Sequence, residues 1–443
     1  MSQIQALPKP VAAFINATNK LNTEEWIAIF ADGAILNDEA IECRGKDAIR
    51  KWSDEQFIGA KITLTTNEVV QIDDQTVVNF TVAGDFSAYG ITAPIPLDFY
   101  FTLEGDKIKY LVISDLVRGK ETMNAAWAAK PNLDDPFSGY RFGKRNVPDV
   151  PEGWVKVKVT AASLNWHDVW TLRGIGHPGL EFPRILGMDG CGTLEDGSPV
   201  ILYPIMGDSN WKGDETIDPA RHVISELCHG ALAEYIIVPK RNAVPLPKEL
   251  STVAGAVLGT AWLTAYRMLF IKSGLRPGQS MLVQGASGGV STALIQLGVA
   301  AGMQVWVTGR TDEKRSLAMS LGAHRTFAAG EKLPKKVDAV FDGVGAATWE
   351  HSLASVCAGG TIVCCGINSG NNPALDLMKI IVNQISVKGV YVGTLEEFKD
   401  LITFVIVKGI EPRIGKVLPL ERTEEGLRDI WEGTTSGKIV ITF

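Results

Sequence analysis

The sequence predicts a multidomain chain: an α+β unit, then a larger α/β unit in which a β-barrel-like part is interrupted by a doubly wound parallel sheet. Three observations carry this reading. Near the N-terminus, helix-period segments are followed by a run of alternating strands, the order of an antiparallel sheet curved around helices. After Leu250 the pattern changes to alternating helix and strand up to about Val390, the mark of a parallel sheet. Between Leu282 and Lys314 an apolar strand runs into a glycine-rich turn, a helix without charged residues and a second buried strand. At 443 residues the chain also exceeds what one core organises, so two or three domains are expected.

In the first unit, Val11 to Asn19 and Thr23 to Phe30 read as helices, the second capped by Thr23 with Glu24 and Glu25 in its first turn. Asp47 to Ser53 reads as a short helix. Strands follow at Ile62 to Val70, Gln75 to Val82, Leu97 to Leu103 and Ile108 to Ile113, the last two joined by a Gly105-Asp106 turn. Phe30 to Glu39 (F-A-D-G-A-I-L-N-D-E), Arg44 to Trp52 (R-G-K-D-A-I-R-K-W) and Val82 to Phe86 (V-A-G-D-F) stand in an order that resembles the nuclear-transport-factor-2-like (NTF2-like) superfamily, of the SnoaL kind, over about Val11 to Ser114. The resemblance implies a cone-shaped fold that serves either as an isomerase or cyclase or as a plain binding unit. This half has no histidine; Asp38, Glu39 and Asp98 are its available carboxylates, with turn chemistry and solvated strand ends as their plain alternative. Trp26 and Trp52 stand at helical spacing and read as core.

Residues 1–117 are therefore assigned to this domain and 118–139 to a linker, inside which Ala125 to Ala129 reads as a short helix. Beyond it, Val155 to Ala161, Ser198 to Tyr203 and Ala233 to Val238 read as strands between Gly- and Pro-rich loops. A helix at Leu395 to Lys408 and a strand at Gly437 to Phe443 close the chain. The barrel-like catalytic part is assigned to 140–255 and 391–443, the nucleotide part to 256–390.

The segment L-V-Q-G-A-S-G-G-V identifies a pyrophosphate seat at a helix N-terminus, formed by Gly285, Ser287, Gly288, Gly289 and Val290, with Ala286 where a middle glycine is usual. The second strand ends in Gly309-Arg310, not in an acid. An acid there would hold the 2′-hydroxyl of NAD, whereas Arg310 and Lys314 suit the 2′-phosphate of NADPH. NADPH is the expected cofactor.

Six motifs in order widen the frame: Ala161 to Gly174 (A-A-S-L-N-W-H-D-V-W-T-L-R-G), Phe182 to Gly192 (F-P-R-I-L-G-M-D-G-C-G), Leu258 to Arg267 (L-G-T-A-W-L-T-A-Y-R), the glycine turn, Val340 to Gly345 (V-F-D-G-V-G) and Gly437 to Val440 (G-K-I-V). They resemble the medium-chain dehydrogenase/reductase superfamily across nearly all of Tyr140 to Phe443, on the side of its zinc-binding dehydrogenases and close to the quinone oxidoreductases. The resemblance implies a GroES-like barrel with an inserted Rossmann domain. It also locates a departure. Where zinc alcohol dehydrogenases supply cysteine, histidine followed by glutamate, and cysteine, this chain has Asn165, Met188 followed by Asp189, and Thr260. Asn, Met and Thr make no ordinary zinc site. The four closely spaced cysteines of the structural zinc lobe are also missing, and His222, Cys228 and His229 follow no recognised metal spacing, so no metal is expected.

Without a Lewis acid, simple alcohol oxidation loses its support. Hydride transfer to a quinone, or to the β-carbon of an α,β-unsaturated carbonyl, remains open, because hydrogen-bond donors can stabilise the oxygen that gains charge. By the resemblance, Asn165 is a donor or nicotinamide-pocket residue, Asp168 orients its segment or holds Arg173, and Thr264 lies against the nicotinamide. Gly345 and Gly366 follow strand ends in the nucleotide domain, where ligands gather. Lys438 reaches a cofactor phosphate or stays at the surface; His167 is a proton donor or a solvated, helix-capping residue; Tyr203 and His177 are further pocket candidates.

A net charge of −7 and a pI near 5.5 argue against nucleic acid as a partner. No stretch has the roughly 18 uninterrupted apolar residues of a membrane helix, and Met1 to Lys20 shows no signal peptide. Six scattered cysteines suit reduced thiols, hence a cytoplasmic setting, with a small-molecule substrate and a homodimer as the expected partners. Three alternatives stay open: an alcohol- or aldehyde-dehydrogenase-like activity, a bifunctional isomerase-reductase, and a non-catalytic NADPH-binding sensor.

Overall fold

The structure is a computed structural model that describes residues 7–38, 41–72, 74–86, 94–116 and 120–443. Glu39, one of the three candidate carboxylates, and the first two residues of the expected linker lie outside the described residues. The chain divides into two compact units, Met1–Ala125 with Arg141–Val147 and Gly179–Pro183, and Ala126–Tyr140 with Pro148–Pro178 and Arg184–Phe443.

In the first unit, helix α1 (Lys9–Asn19) buries Val11, Phe14 and Thr18, one face at helical spacing. Helix α2 (Thr23–Ala28) is capped by Asn22, whose Oδ1 accepts from the Glu25 N–H at 3.1 Å; the expected Thr23 cap sits one residue inside. The helix also stops earlier than expected, because Phe30 opens strand β1 (Phe30–Asp38). A register irregularity between Phe30 and Ile35 breaks the two-residue alternation there, which hides the strand from pattern reading. After β2 (Ile41–Arg44) and α3 (Lys46–Gln56) come β3 (Thr63–Ile72), β4 (Gln75–Ala83), β5 (Ile95–Glu104) and β6 (Lys107–Ser114). The sheet order is β2-β1-β6-β5-β4-β3, antiparallel except for the β1–β6 pair. Its interior is filled with rings: Phe14 has Trp26 at 5.4 Å, Phe57 at 5.9 Å and Phe101 at 5.2 Å between centroids. Each such buried ring contributes about 2–3 kcal/mol of apolar transfer energy.

The predicted linker helix is a strand, Thr122–Ala128. Trp127 and Ala128 pair antiparallel with Ile185 and Arg184, and the Ala126 N–H donates to the Leu232 carbonyl at 2.8 Å. Alanine is the strongest intrinsic helix former, but propensity is a weak preference that strand partners on both sides of the segment outweigh.

In the second unit, one sheet runs Ala243–Pro245, Pro199–Leu202, Asp189–Thr193, Trp154–Ser163, Lys438–Thr442, Ile414–Pro419, with Tyr235–Pro239 also paired to Trp154–Ser163. Its last two strands come from the chain's end, so the C-terminus completes the barrel-like part. The other sheet is wholly parallel and runs Arg325–Ala328, Gln304–Gly309, Ser280–Gln284, Val337–Asp342, Val356–Cys364, Ser386–Gly389. Met281, Leu282 and Val283 are fully buried, as a central parallel strand requires. Strand order reverses between Ser280–Gln284 and Val337–Asp342, and the loops leaving those two ends form the crevice where such sheets bind ligands.

Candidate active site

Gly285 leaves the first strand at φ +87°, a conformation that a side chain resists, and its N–H donates to Thr308 Oγ1 at 3.2 Å. Gly288 caps the helix Gly289–Ala300, whose free N–H groups open the crevice. A Cβ on Gly289 would stand 2.7 Å from Lys438 Cδ, so this helix start rests on the lysine stem. Ser287 is buried and accepts the Gly437 N–H at 2.8 Å through its carbonyl, and Val290 is half-buried beside it. Across the crevice Gly345 has φ +102°, and a Cβ there would lie 2.7 Å from the Gly370 carbonyl oxygen; one on Gly366 would lie 2.1 Å from that of Gly343. Buried Asp342, which pattern reading did not single out, fixes this loop by accepting the Val344 and Gly345 N–H groups at 3.0 and 3.1 Å.

At the end of the second strand Arg310 is exposed and makes no hydrogen bond or ion pair among the described residues. Lys314 lies beside it, its Nζ donating to the Gly433 carbonyl at 2.7 Å. Burial, and then the neighbouring Arg310 charge, push the Lys314 ammonium below its usual range. Two cations meet here with no carboxylate between them.

A dense polar cluster gathers Asn165, Asp189 and Thr260, the positions that the resemblance sets against zinc ligands. Helix α4 (Trp166–Leu172) starts at Asn165, and Asp168 closes its first turn, Oδ2 accepting the Asn165 N–H at 2.8 Å and Oδ1 the Gly187 N–H at 2.7 Å. Burial raises the Asp168 carboxyl against those hydrogen bonds. It closes the first turn of that helix and makes no hydrogen bond or ion pair with Arg173, which donates to the Leu133 carbonyl. The Asn165 amide is fully engaged: Nδ2 donates to Asp189 Oδ2 at 2.9 Å and to the Ser163 carbonyl at 3.3 Å, and Oδ1 accepts from Lys438 Nζ at 2.6 Å. Asn165 is thus no free donor.

Lys438 is neither at the surface nor turned outward. Its side chain is 3% exposed, and Nζ donates to the Leu164 carbonyl at 2.7 Å and faces Asp189 Oδ2 at 3.4 Å. Burial lowers the Lys438 ammonium; the Asp189 and Asp168 charges oppose that shift. Asp189 also accepts from Ser163 Oγ at 2.8 Å and from Thr260 Oγ1. Met188 packs in the apolar core. An ammonium, an amide, a hydroxyl and one carboxylate already spent on them do not fit zinc, which needs thiolate, imidazole or free carboxylate. Among the described residues no group of three His, Cys, Asp or Glu side chains suits a metal. His222 faces the Val223 carbonyl, Cys228 faces Met206, and His229 accepts the Ile185 N–H.

Thr264 is buried, on a short α-helical stretch, Leu263–Tyr266, set between two π-helical ones, Leu258–Trp262 and Arg267–Lys272. Such wide turns recur at functional sites, and no sequence signal here announced them. His167 is neither solvated nor capping: its side chain is 12% exposed and Nε2 lies 3.1 Å from Glu226 Oε1. Tyr203 is fully buried, its hydroxyl 3.0 Å from both Glu215 Oε2 and the Gly393 carbonyl; His177 is half-buried. Beside α4 opens a cavity of about 500 Å³, walled by Trp166, Trp170, Arg173 and Trp431 on one side and by Ile367, Asn368 and Asn371 on the other. Trp166, Trp170 and Arg173 lie within the Ala161 to Gly174 motif without having been read as cavity walls, and Ile367, Asn368, Asn371 and Trp431 carried no motif.

Barrel-like sheet, nucleotide sheet and helix-terminal glycine turn together define an oxidoreductase of the medium-chain dehydrogenase/reductase superfamily. Residues 289–406 match the zinc-binding dehydrogenase family, 151–248 the alcohol dehydrogenase GroES-like domain and 11–111 the SnoaL-like domain. The chain belongs to the zinc-binding dehydrogenase family. It is 32% identical to the zinc-type alcohol dehydrogenase-like protein YogA of Leptosphaeria maculans, over 65% of this chain and 90% of that one. It is 27% identical to the quinone oxidoreductase of Lama guanicoe, over 67% and 90%. Among solved structures it resembles an NAD-dependent alcohol dehydrogenase, with a TM-score of 0.67 and 30% identity, over 72% of this chain and all of that one.

Proposed function

We propose that this chain is an NADPH-dependent reductase that works without zinc, delivering hydride to a quinone or to the β-carbon of an α,β-unsaturated carbonyl. The observation that carries it is the Lys438 ammonium, lodged between Asn165 and Asp189 where zinc relatives bind metal. Bound NADPH supplies the hydride; the chain supplies seat and field. The helix N-terminus behind Gly285, Ser287, Gly288, Gly289 and Val290 holds the pyrophosphate, and Arg310 with Lys314 holds the 2′-phosphate. Gly345 and Gly366 leave room for the nicotinamide half, against which Thr264 rests. Asn165 and Asp168 act as positioning residues, and Lys438 braces Asn165 and the dinucleotide helix rather than a cofactor phosphate.

Two copies pair through the nucleotide domain in this reading. Its edge strand Ser386–Gly389 is exposed along its length, and the helix Leu377–Asn383 exposes Met378, Ile381 and Val382 by 68–69%. A cytoplasmic setting fits the absence, among the described residues, of any helix long and apolar enough to cross a membrane.

Competitive titration of NADPH and NADH tests the cofactor reading. NADPH binds at least tenfold tighter, and Arg310→Ser removes that margin while leaving NADH affinity within about twofold. Equal affinities in the unsubstituted protein contradict it.

A further inference from the structure

The cavity beside α4 holds a cation that hydride transfer does not use. Arg173 lies two turns along from Asn165, its Nε fixed to the Leu133 carbonyl at 3.1 Å. Its guanidinium stands over the Trp431 ring at 5.6 Å, and Trp166 faces Trp431 at 6.1 Å between centroids. Neither Nη group has a hydrogen bond or ion pair among the described residues. A guanidinium stacked on an indole keeps its planar fork free for two parallel bonds to an oxyanion. Trp166, Trp170 and Trp431 offer flat apolar walls, and Asn368 and Asn371 add amide donors opposite them. Trp431 is 39% exposed, a large ring left partly open to water.

We propose that this cavity binds a planar, oxyanion-bearing ligand, its conjugated body between the indoles and its carboxylate or phosphate on the Arg173 fork. The proposal rests on the reductase reading and narrows its substrate class to acceptors with an acidic group, unless the oxyanion is a phosphate of the cofactor itself. Both sources share the chemistry of a bidentate guanidinium–oxyanion pair.

The test uses the full chain and the variant Arg173→Met, with NADPH and two matched quinones, one neutral and one carrying a carboxylate. A rise of about ten- to hundredfold in KM for the acidic quinone alone supports the proposal and assigns the oxyanion to the acceptor. A comparable rise in NADPH Kd, with the two quinones still equal, supports it and assigns the oxyanion to the cofactor. Arg173→Lys, which keeps charge but not the fork, recovers only part of either loss. Changes below twofold in every constant, in a variant whose melting curve matches the parent, overturn it. If the chain turns over no acceptor, the reductase reading fails, and the site is read at equilibrium from quenching of indole fluorescence by the acidic quinone. Quenching lost in Arg173→Met then upholds the site, and quenching equal in both proteins refutes it.

Discussion

Lys438 shows how one residue can rebuild a site. An ammonium taken from water is tolerated only with partners, and here the Leu164 carbonyl, the Asn165 amide and the Asp189 carboxylate supply them. Lys438→Met would leave Asp189 buried without a cation, at a cost of about 3–5 kcal/mol. Its thermal midpoint should fall by on the order of 10 °C, and Lys438→Arg should recover part of the loss. A second residue couples stability to pH. Loss of water at the end of β1, with the Asp115 charge adding to it, raises the Asp38 carboxyl from 3.8 to about 6. Between those values the folded chain holds a proton that the unfolded chain has released, so stability falls as pH rises from about 4 to about 6. Asp38→Asn should remove that slope in melting curves taken across the window, leaving the substituted protein more stable at neutral pH by about 1–3 kcal/mol.

Among the elements, the loop after Val337–Asp342 tolerates little change at Gly345. Gly345→Ala combines a left-handed backbone with a Cβ 2.7 Å from the Gly370 carbonyl. It should weaken NADPH binding at least tenfold in a fluorescence titration, with a smaller fall in melting temperature. The glycine turn and its flanking strands were legible because strand, turn and helix there obey local rules. The strand Thr122–Ala128 was not, since its alanines take their form from partners at Leu232 and Arg184, distant in sequence. Strand β1 was hidden by its irregularity, and α2 by a cap one residue earlier than Thr23. Motif positions located Asn165, Asp189 and Thr260, but only the fold brings Lys438, at the far end of the chain, between them. The indole-walled cavity was not legible as a site, because its walls come from three separate segments, of which only Trp166 to Arg173 lies in a motif.

At the scale of the whole molecule, two compact units share one chain, and the second carries every group assigned here to hydride transfer. The first is packed with aromatic rings around Phe14. Exposed Met378, Ile381 and Val382 beside the open strand Ser386–Gly389 predict a dimer. Ile381→Asp should shift sedimentation from two copies to one while the fold, read by circular dichroism, stays unchanged. The central claim is reduction with NADPH and without metal. It is met most directly by following NADPH oxidation with a panel of quinones and enones, with and without a strong chelator. Turnover that the chelator leaves unchanged is the expected result. Turnover abolished by the chelator and restored by zinc would contradict it.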